Sequence, residues 1–146
     1  AVIRPPRPDE AGCAELLGLE AYVAHQSRGM ALAPSGAREL NEPRARGRRL
    51  YTQRVGQLNL SCALCHDERA GGSLAGSTIP EGHVNGYPTY RLEWQGLGSL
   101  QRRLRNCLSG VRAEAPPFDA TELIELELYL AQRSAGMTIE TPAVRP

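Results

Sequence analysis

The sequence predicts an all-α fold, and three observations carry that expectation. Apolar residues recur at three- and four-residue spacing in two stretches, one from Ala14 to Arg28 and one from Asp119 to a stop at Gly136. That period is the signature of an amphipathic helix. Between them, Cys62-Ala63-Leu64-Cys65-His66 packs two thiols and an imidazole into a spacing that suits one helical turn. Residues 67 to 98 hold Gly71, Gly72, Gly76, Gly82, Gly86, Gly96 and Gly98 with Pro80 and Pro88, and read as a long irregular loop.

Taken in order, Pro5, Pro6 and Pro8 make the first dozen residues an extended arm. The helix from Ala14 to Arg28 turns Leu16, Leu19, Tyr22 and Val23 to one face, and Gly29 ends it. Pro34, Gly36 and Pro43 make residues 31–43 a linker, so that 1–43 form an arm, helix and linker and 44–146 the main domain. Arg44 to about Gln57 reads as a basic helix with Leu50, Tyr51, Arg54 and Val55 on one face. Tyr87, Tyr90 and Trp94 punctuate the Gly-rich loop, which argues for a loop wrapped around something. Ser99 to Leu108 is a short helix dense in arginine (Arg102, Arg103, Arg105), running into Cys107 and Gly110, and Pro116 and Pro117 mark the next loop. The last helix opens on a capping-box-like pair, Asp119 and Glu122, and lines Leu123, Leu126, Tyr129 and Leu130 on its core face.

The first and last helices repeat one another. Glu15 through Tyr22, then Ser27, Gly29 and Met30, match Glu122 through Tyr129, then Ser134, Gly136 and Met137, each 107 residues on. The same supersecondary unit thus occurs twice, and the first copy keeps only its closing helix.

The chain has 146 residues, 41% hydrophobic and only 5% aromatic. Such a core is thin in aromatics, and a buried flat cofactor would supply the missing apolar bulk. A net charge of +1 gives no reason to expect nucleic acid or an acidic membrane as partner. All 17 basic residues are arginine, which suits planar oxyanions but also follows from a bias against lysine codons. No run approaches a membrane span, and no basic-then-apolar leader is present. A chain that starts at Ala1 without Met fits a processed exported product or a fragment.

Two thiols three positions apart can add to the vinyl groups of one porphyrin edge while the adjacent imidazole ligates the iron, so the motif reads as attachment of one covalent haem c. This makes the expected fold a cytochrome c-like haem domain, all-α, with an N-terminal helix-and-linker arm. A zinc knuckle competes, since the same residues are soft tetrahedral ligands, but no second pair follows at finger spacing. Plain structural cysteines are the remaining alternative. Thioether chemistry is completed outside the cytoplasm, which points to the periplasm. With His66 proximal, four side chains compete for the far side of the iron: Met30, Met137, His83 and Cys107. The two methionines occupy equivalent places in the repeat, which favours a shared packing role, and His83 lies in the Gly-rich loop. Cys107 precedes the last helix, where single-haem cytochromes present a distal ligand, and its arginine neighbours would favour a thiolate. A disulfide between Cys107 and Cys13 is the alternative use of that sulfur.

Arg103-Leu104-Arg105-Asn106-Cys107, Val111-Arg112-Ala113-Glu114, Leu126-Glu127-Leu128-Tyr129-Leu130 and Ile139-Glu140-Thr141-Pro142-Ala143-Val144-Arg145 together resemble SoxA, the catalytic subunit of the SoxAX cytochromes of bacterial thiosulfate oxidation. The resemblance spans about residues 44–145, with 14–43 similar to the end of that family's first domain and its linker. It implies His66 and Cys107 as axial ligands, Cys107 often carried as a persulfide, and Arg103 as the active-site arginine. It further implies an L-cysteine S-thiosulfotransferase that joins thiosulfate to a cysteine of a SoxYZ-like carrier and passes electrons to a SoxX-like cytochrome. A plain single-haem electron carrier is the rival reading. The family has two cytochrome-like domains, whereas this sequence holds the tail of the first, so it is either truncated or a shortened relative in which another polypeptide covers the helix of residues 14–28.

Overall fold

The computed structural model describes residues 14–146. Helix α1 (Ala14–His25) leads through a 3-10 turn (Arg38–Leu40) into α2 (Asn41–Thr52), followed by the short α3 (Cys62–His66). Four strands come next: β1 (Ser73–Leu74), β2 (Ser77–Thr78), β3 (Thr89–Arg91) and β4 (Gly96–Gly98). Helices α4 (Leu100–Gly110) and α5 (Thr121–Arg133) precede a last strand, β5 (Ala143–Arg145).

The all-α expectation is therefore corrected to a mixed α/β fold. β1 and β2 form an antiparallel hairpin whose turn residues Ala75 and Gly76 both have positive φ (49° and 82°), as a tight two-residue hairpin requires. β3 is the centre of a three-stranded sheet, antiparallel to β4 and parallel to β5, with Thr89 opposite both Gly98 and Ala143. The Thr89 hydroxyl donates to the Ala143 carbonyl at 2.8 Å, tying the end of the chain to the middle of the Gly-rich region. Strands of two or three residues are too short to show alternation, and the β3–β5 pairing joins segments far apart in sequence.

Two helix boundaries also differ. α2 begins at Asn41 rather than Arg44, so Pro43 lies in its first turn, where a missing N–H costs nothing. The Asp119 side chain does not cap α5: its N-cap is Ala120, Asp119 has a left-handed φ of 61°, and the Asp119 amide donates to Gln101 Oε1 at 2.8 Å. The Pro-rich arm and Cys13 lie outside the described residues.

The core sits where α2 crosses α5. Tyr51, Leu126 and Leu130 are buried there, with Leu50, Leu104 and Tyr129 packed around them. Gly47 lets the helices touch, because a Cβ at that position would fall 2.6 Å from the Glu125 carbonyl carbon. Arg46 closes the crossing with an ion pair to the buried Glu125 carboxylate. The Tyr51 hydroxyl donates to Asp67 Oδ1 at 3.0 Å, and Arg133 of α5 pairs with the same carboxylate, which anchors the C-terminal end of α3 to both core helices.

The two copies of the repeat meet about a local two-fold. Gly29 N–H donates to Ile139 O (2.9 Å) and Gly136 N–H to Leu32 O (2.8 Å), while Leu32 N–H donates to Met137 O (2.8 Å) and Ile139 N–H to Met30 O (2.9 Å). Burial breaks the equivalence. Leu123, Leu126 and Leu130 are buried, but their partners Leu16, Leu19 and Val23 are exposed, as is Tyr22, and α1 buries Leu17 and Ala21 instead.

Candidate functional site

Cys62, Cys65 and His66 all belong to α3. Ser61 is extended and accepts the Leu64 N–H on its hydroxyl at 3.3 Å, a side-chain cap that starts the turn at the first cysteine. The three-residue spacing then brings both sulfurs to one face. His66 Nδ1 lies 2.8 Å from the Pro80 carbonyl oxygen. A carbonyl only accepts, so Nδ1 carries the proton and Nε2 is the atom left to ligate a metal. Gly82, with φ of 72°, backs this ring; a Cβ there would lie 3.2 Å from His66 Cβ and 3.3 Å from Cγ.

Facing α3 is α4, whose Ser99 hydroxyl accepts the Arg102 N–H at 3.2 Å. The two helices bound a cavity of about 450 Å³ lined by Cys62, Cys65, His66, Arg103, Asn106 and Cys107. That volume lies within the roughly 300–1,000 Å³ of cofactor pockets. Leu58, Leu60, Ile79, Leu104, Leu108 and Leu126 supply much of its apolar wall. His83, Met30 and Met137 are not on the lining, and Met30 is exposed. His83 Nε2 instead lies 3.0 Å from Glu81 Oε2. Among the described residues no three His, Cys, Asp or Glu side chains converge as a metal site. Cys62, Cys65 and Cys107 are free thiols, and the proposed pairing with Cys13 lies outside the described residues.

The electrostatics at Cys107 differ from expectation. Burial raises its thiol pKa, and Arg103 and Arg91 oppose that rise without cancelling it. Cys62 is likewise pushed up by burial, to about 11. Of the three α4 arginines, only Arg103 acts prominently on the Cys107 sulfur: the Arg102 guanidinium stacks 4.1 Å from the Trp94 ring centroid, and that of Arg105 stacks 4.4 Å from Phe118. Arg91 was not among the sequence candidates. It reaches this neighbourhood from β3, in the segment read as loop, and its local sequence does not single it out from the other arginines. Tyr87 joins the same group, its hydroxyl raised by burial and lowered by Arg103 and Arg91.

The residues present fit a haem c. Two thiols and an oriented imidazole lie on one wall, a sulfur and a guanidinium on the other, and the space between is mainly apolar. This combination defines the class: a c-type cytochrome domain with two small sheets. The family model "SoxA/TsdA, cytochrome c domain" matches residues 46–139, and the chain belongs to that family. Haem c binding comes with that membership.

Two similar proteins are the L-cysteine S-thiosulfotransferase subunits SoxA of Pseudaminobacter salicylatoxidans and Paracoccus pantotrophus. The first is 39% identical over 130 residues, covering 88% of this chain and 46% of the relative. The second is 36% identical over 127 residues, covering 84% and 42%. The crystal structure of SoxXA from P. pantotrophus superposes with a TM-score of 0.88 at 33% identity, over 92% of this chain and 51% of that one. The chain thus spans about half the length of the relatives it matches.

Proposed function

We propose that this chain is the haem-bearing, catalytic part of an L-cysteine S-thiosulfotransferase, which oxidatively conjugates thiosulfate to a cysteine of a SoxYZ-like carrier and passes electrons to a SoxX-like cytochrome. The observation that supports this most is that Cys107 and Arg103 line the same cavity as Cys62, Cys65 and His66. A haem c would be held by the Cys62 and Cys65 thiols, with His66 Nε2 and the Cys107 sulfur as the protein atoms available to its iron, and would supply a one-electron acceptor. Pro80 and Gly82 hold the His66 ring in position, and the apolar walls exclude water. Arg103 binds the sulfonate end of thiosulfate through charge-assisted hydrogen bonds. The Cys107 sulfur, as thiolate or persulfide, serves as nucleophile or sulfur relay. Overall, the carrier thiol loses its proton, one S–S bond forms between the carrier and the outer sulfur of thiosulfate, and two electrons leave toward the partner cytochrome.

Residues 1–43 form, in this reading, an arm, a closing helix and a linker left from a first cytochrome-like domain, with 44–146 the haem domain. The exposed face of α1 is then the surface on which the rest of that first unit packs, just as α2 packs on α5. Thioether attachment, which is completed outside the cytoplasm, supports a periplasmic location. Among the described residues no helix is long and apolar enough to cross a membrane.

The test is conjugation by the full-length protein with its partner cytochrome and carrier. Cys107→Ala abolishes it, and unaltered turnover would leave the single-haem electron carrier as the better reading. The absorption spectrum of the denatured, reduced protein in pyridine reports covalent haem, and a colourless product would sink both cytochrome readings. Intact mass separates the two states of Cys107, since a persulfide adds about 32 Da.

A further inference from the structure

Beside Cys107, one carboxylate sits between two guanidiniums. Arg91, the last residue of β3, brings Nε to 3.0 Å from Glu93 Oε1, and Arg103 of α4 brings Nη1 to 3.7 Å from the same oxygen. The Arg91 side chain is only 11% exposed, against 47% for that of Glu93. Two rigid supports hold the group together. The β3–β4 pairing fixes Arg91, and the Trp94 ring lies 5.2 Å from its guanidinium carbon. Trp94 is itself held against Gly98, where an added Cβ would overlap the ring. Both arginines act on the Cys107 sulfur, and so, with the opposite sign, does Glu93.

A planar guanidinium binds a carboxylate and a sulfur oxyanion through the same N–H groups. We propose that Arg91 and Arg103 form a two-arginine anion clamp next to Cys107, and that Glu93 is its resident anion, displaced when the sulfonate end of the substrate binds. This deepens the sulfur-oxyanion reading of the site and rests on it. It makes Arg91 a second substrate-binding residue, held in place by the sheet that sequence reasoning missed. It makes Glu93 a built-in competitor that holds Arg91 by a hydrogen bond and Arg103 by an ion pair while no substrate is present. A half-exposed carboxylate between two better-buried cations can swing toward solvent without disturbing either arginine.

Calorimetric titration of inorganic thiosulfate into the full-length, haem-loaded protein tests this without requiring turnover. Glu93→Gln, which keeps the shape and removes the charge, should tighten binding about tenfold, equivalent to about 1.4 kcal/mol. Arg91→Gln should weaken binding about tenfold, and the gain from Glu93→Gln should shrink when Arg91 is already Gln. Unchanged or weaker binding in Glu93→Gln, or an Arg91→Gln affinity within about twofold of the parent, overturns the clamp. A parent protein that conjugates thiosulfate while Glu93→Gln leaves affinity unchanged sinks the clamp alone. Binding that follows the predicted order without any conjugation supports the clamp and sinks the thiosulfotransferase reading.

Discussion

The same substitution, glycine to alanine, should have opposite effects at two helical positions. By intrinsic propensity each exchange favours the helix by up to about 1 kcal/mol. At Gly18 in α1 an added Cβ meets nothing within 4 Å, so that gain is all there is. At Gly47 in α2 the added Cβ overlaps the Glu125 carbonyl oxygen and lies 2.9 Å from Tyr129 Cβ. The obstacle is α5 backbone, so α2 and α5 must separate around the buried Tyr51, Leu126 and Leu130. Overpacking of that kind costs about 1–3 kcal/mol and, against backbone, more. The net expectation is that Gly47→Ala loses at least about 2 kcal/mol, whereas Gly18→Ala gains about 0.5–1 kcal/mol. Urea unfolding of both haem-loaded variants at neutral pH measures this through the midpoint, with an unchanged slope certifying the comparison. A Gly47→Ala protein as stable as the parent would refute the claim that direct backbone contact at Gly47 positions the two core helices.

Further expectations follow from other contacts. Leu126→Ala should cost about 2–5 kcal/mol, whereas Leu19→Ala, its exposed partner in the repeat, should stay within about 0.5 kcal/mol in this chain by thermal unfolding. Ser61→Ala removes the acceptor of the Leu64 N–H and should cost about 1 kcal/mol, read by the same method. Glu127 has a pKa raised above its ordinary 4.5 by burial, with Glu20 and Asp119 adding to the rise and Gln101 opposing it. The folded chain therefore holds this proton more tightly than the unfolded one. Its stabilising contribution is full below the ordinary value and is lost as pH rises through the raised one. Glu127→Gln, which can still accept the Gln101 amide, should raise the urea midpoint at neutral pH and make no difference at acid pH; a lower midpoint at neutral pH would count against this assignment.

What could be read from the sequence depended on how local the signal was. Cys62, Cys65 and His66 are adjacent, and α5 carries its core face over thirteen residues, so motif and helix were both legible. Cys107 could be ranked above His83 and the methionines from its place before the last helix, and it is the one of the four that lines the cavity. The sheet was not legible, because β3 gains its parallel partner only when the end of the chain returns to Thr89. Arg91 was lost with it. Counting nearby arginines in sequence captured the charge at Cys107 but not its burial, and two of the three arginines stack on aromatic rings instead.

The repeat supplies the last step. Equivalent sequence at α1 and α5 predicts equivalent structure, and the four hydrogen bonds around Met30, Leu32, Met137 and Ile139 obey that equivalence in both directions. Their backbones are committed to one another in the same way on each side of the local two-fold, which fits the recurrence in both copies of a glycine with positive φ, Gly29 at 88° and Gly136 at 81°. What differs is the environment, since α5 is covered by α2 and the matching face of α1 is bare. Leu16, Leu19, Tyr22 and Val23 therefore carry core-type residues at surface positions, and in a chain of greater length their truncation should cost what truncation of Leu123, Leu126 and Leu130 costs here. Parallel Leu19→Ala measurements in the short and the full-length proteins decide it: a loss confined to the longer protein assigns the α1 face to the first cytochrome-like unit, and equal small effects in both remove that assignment.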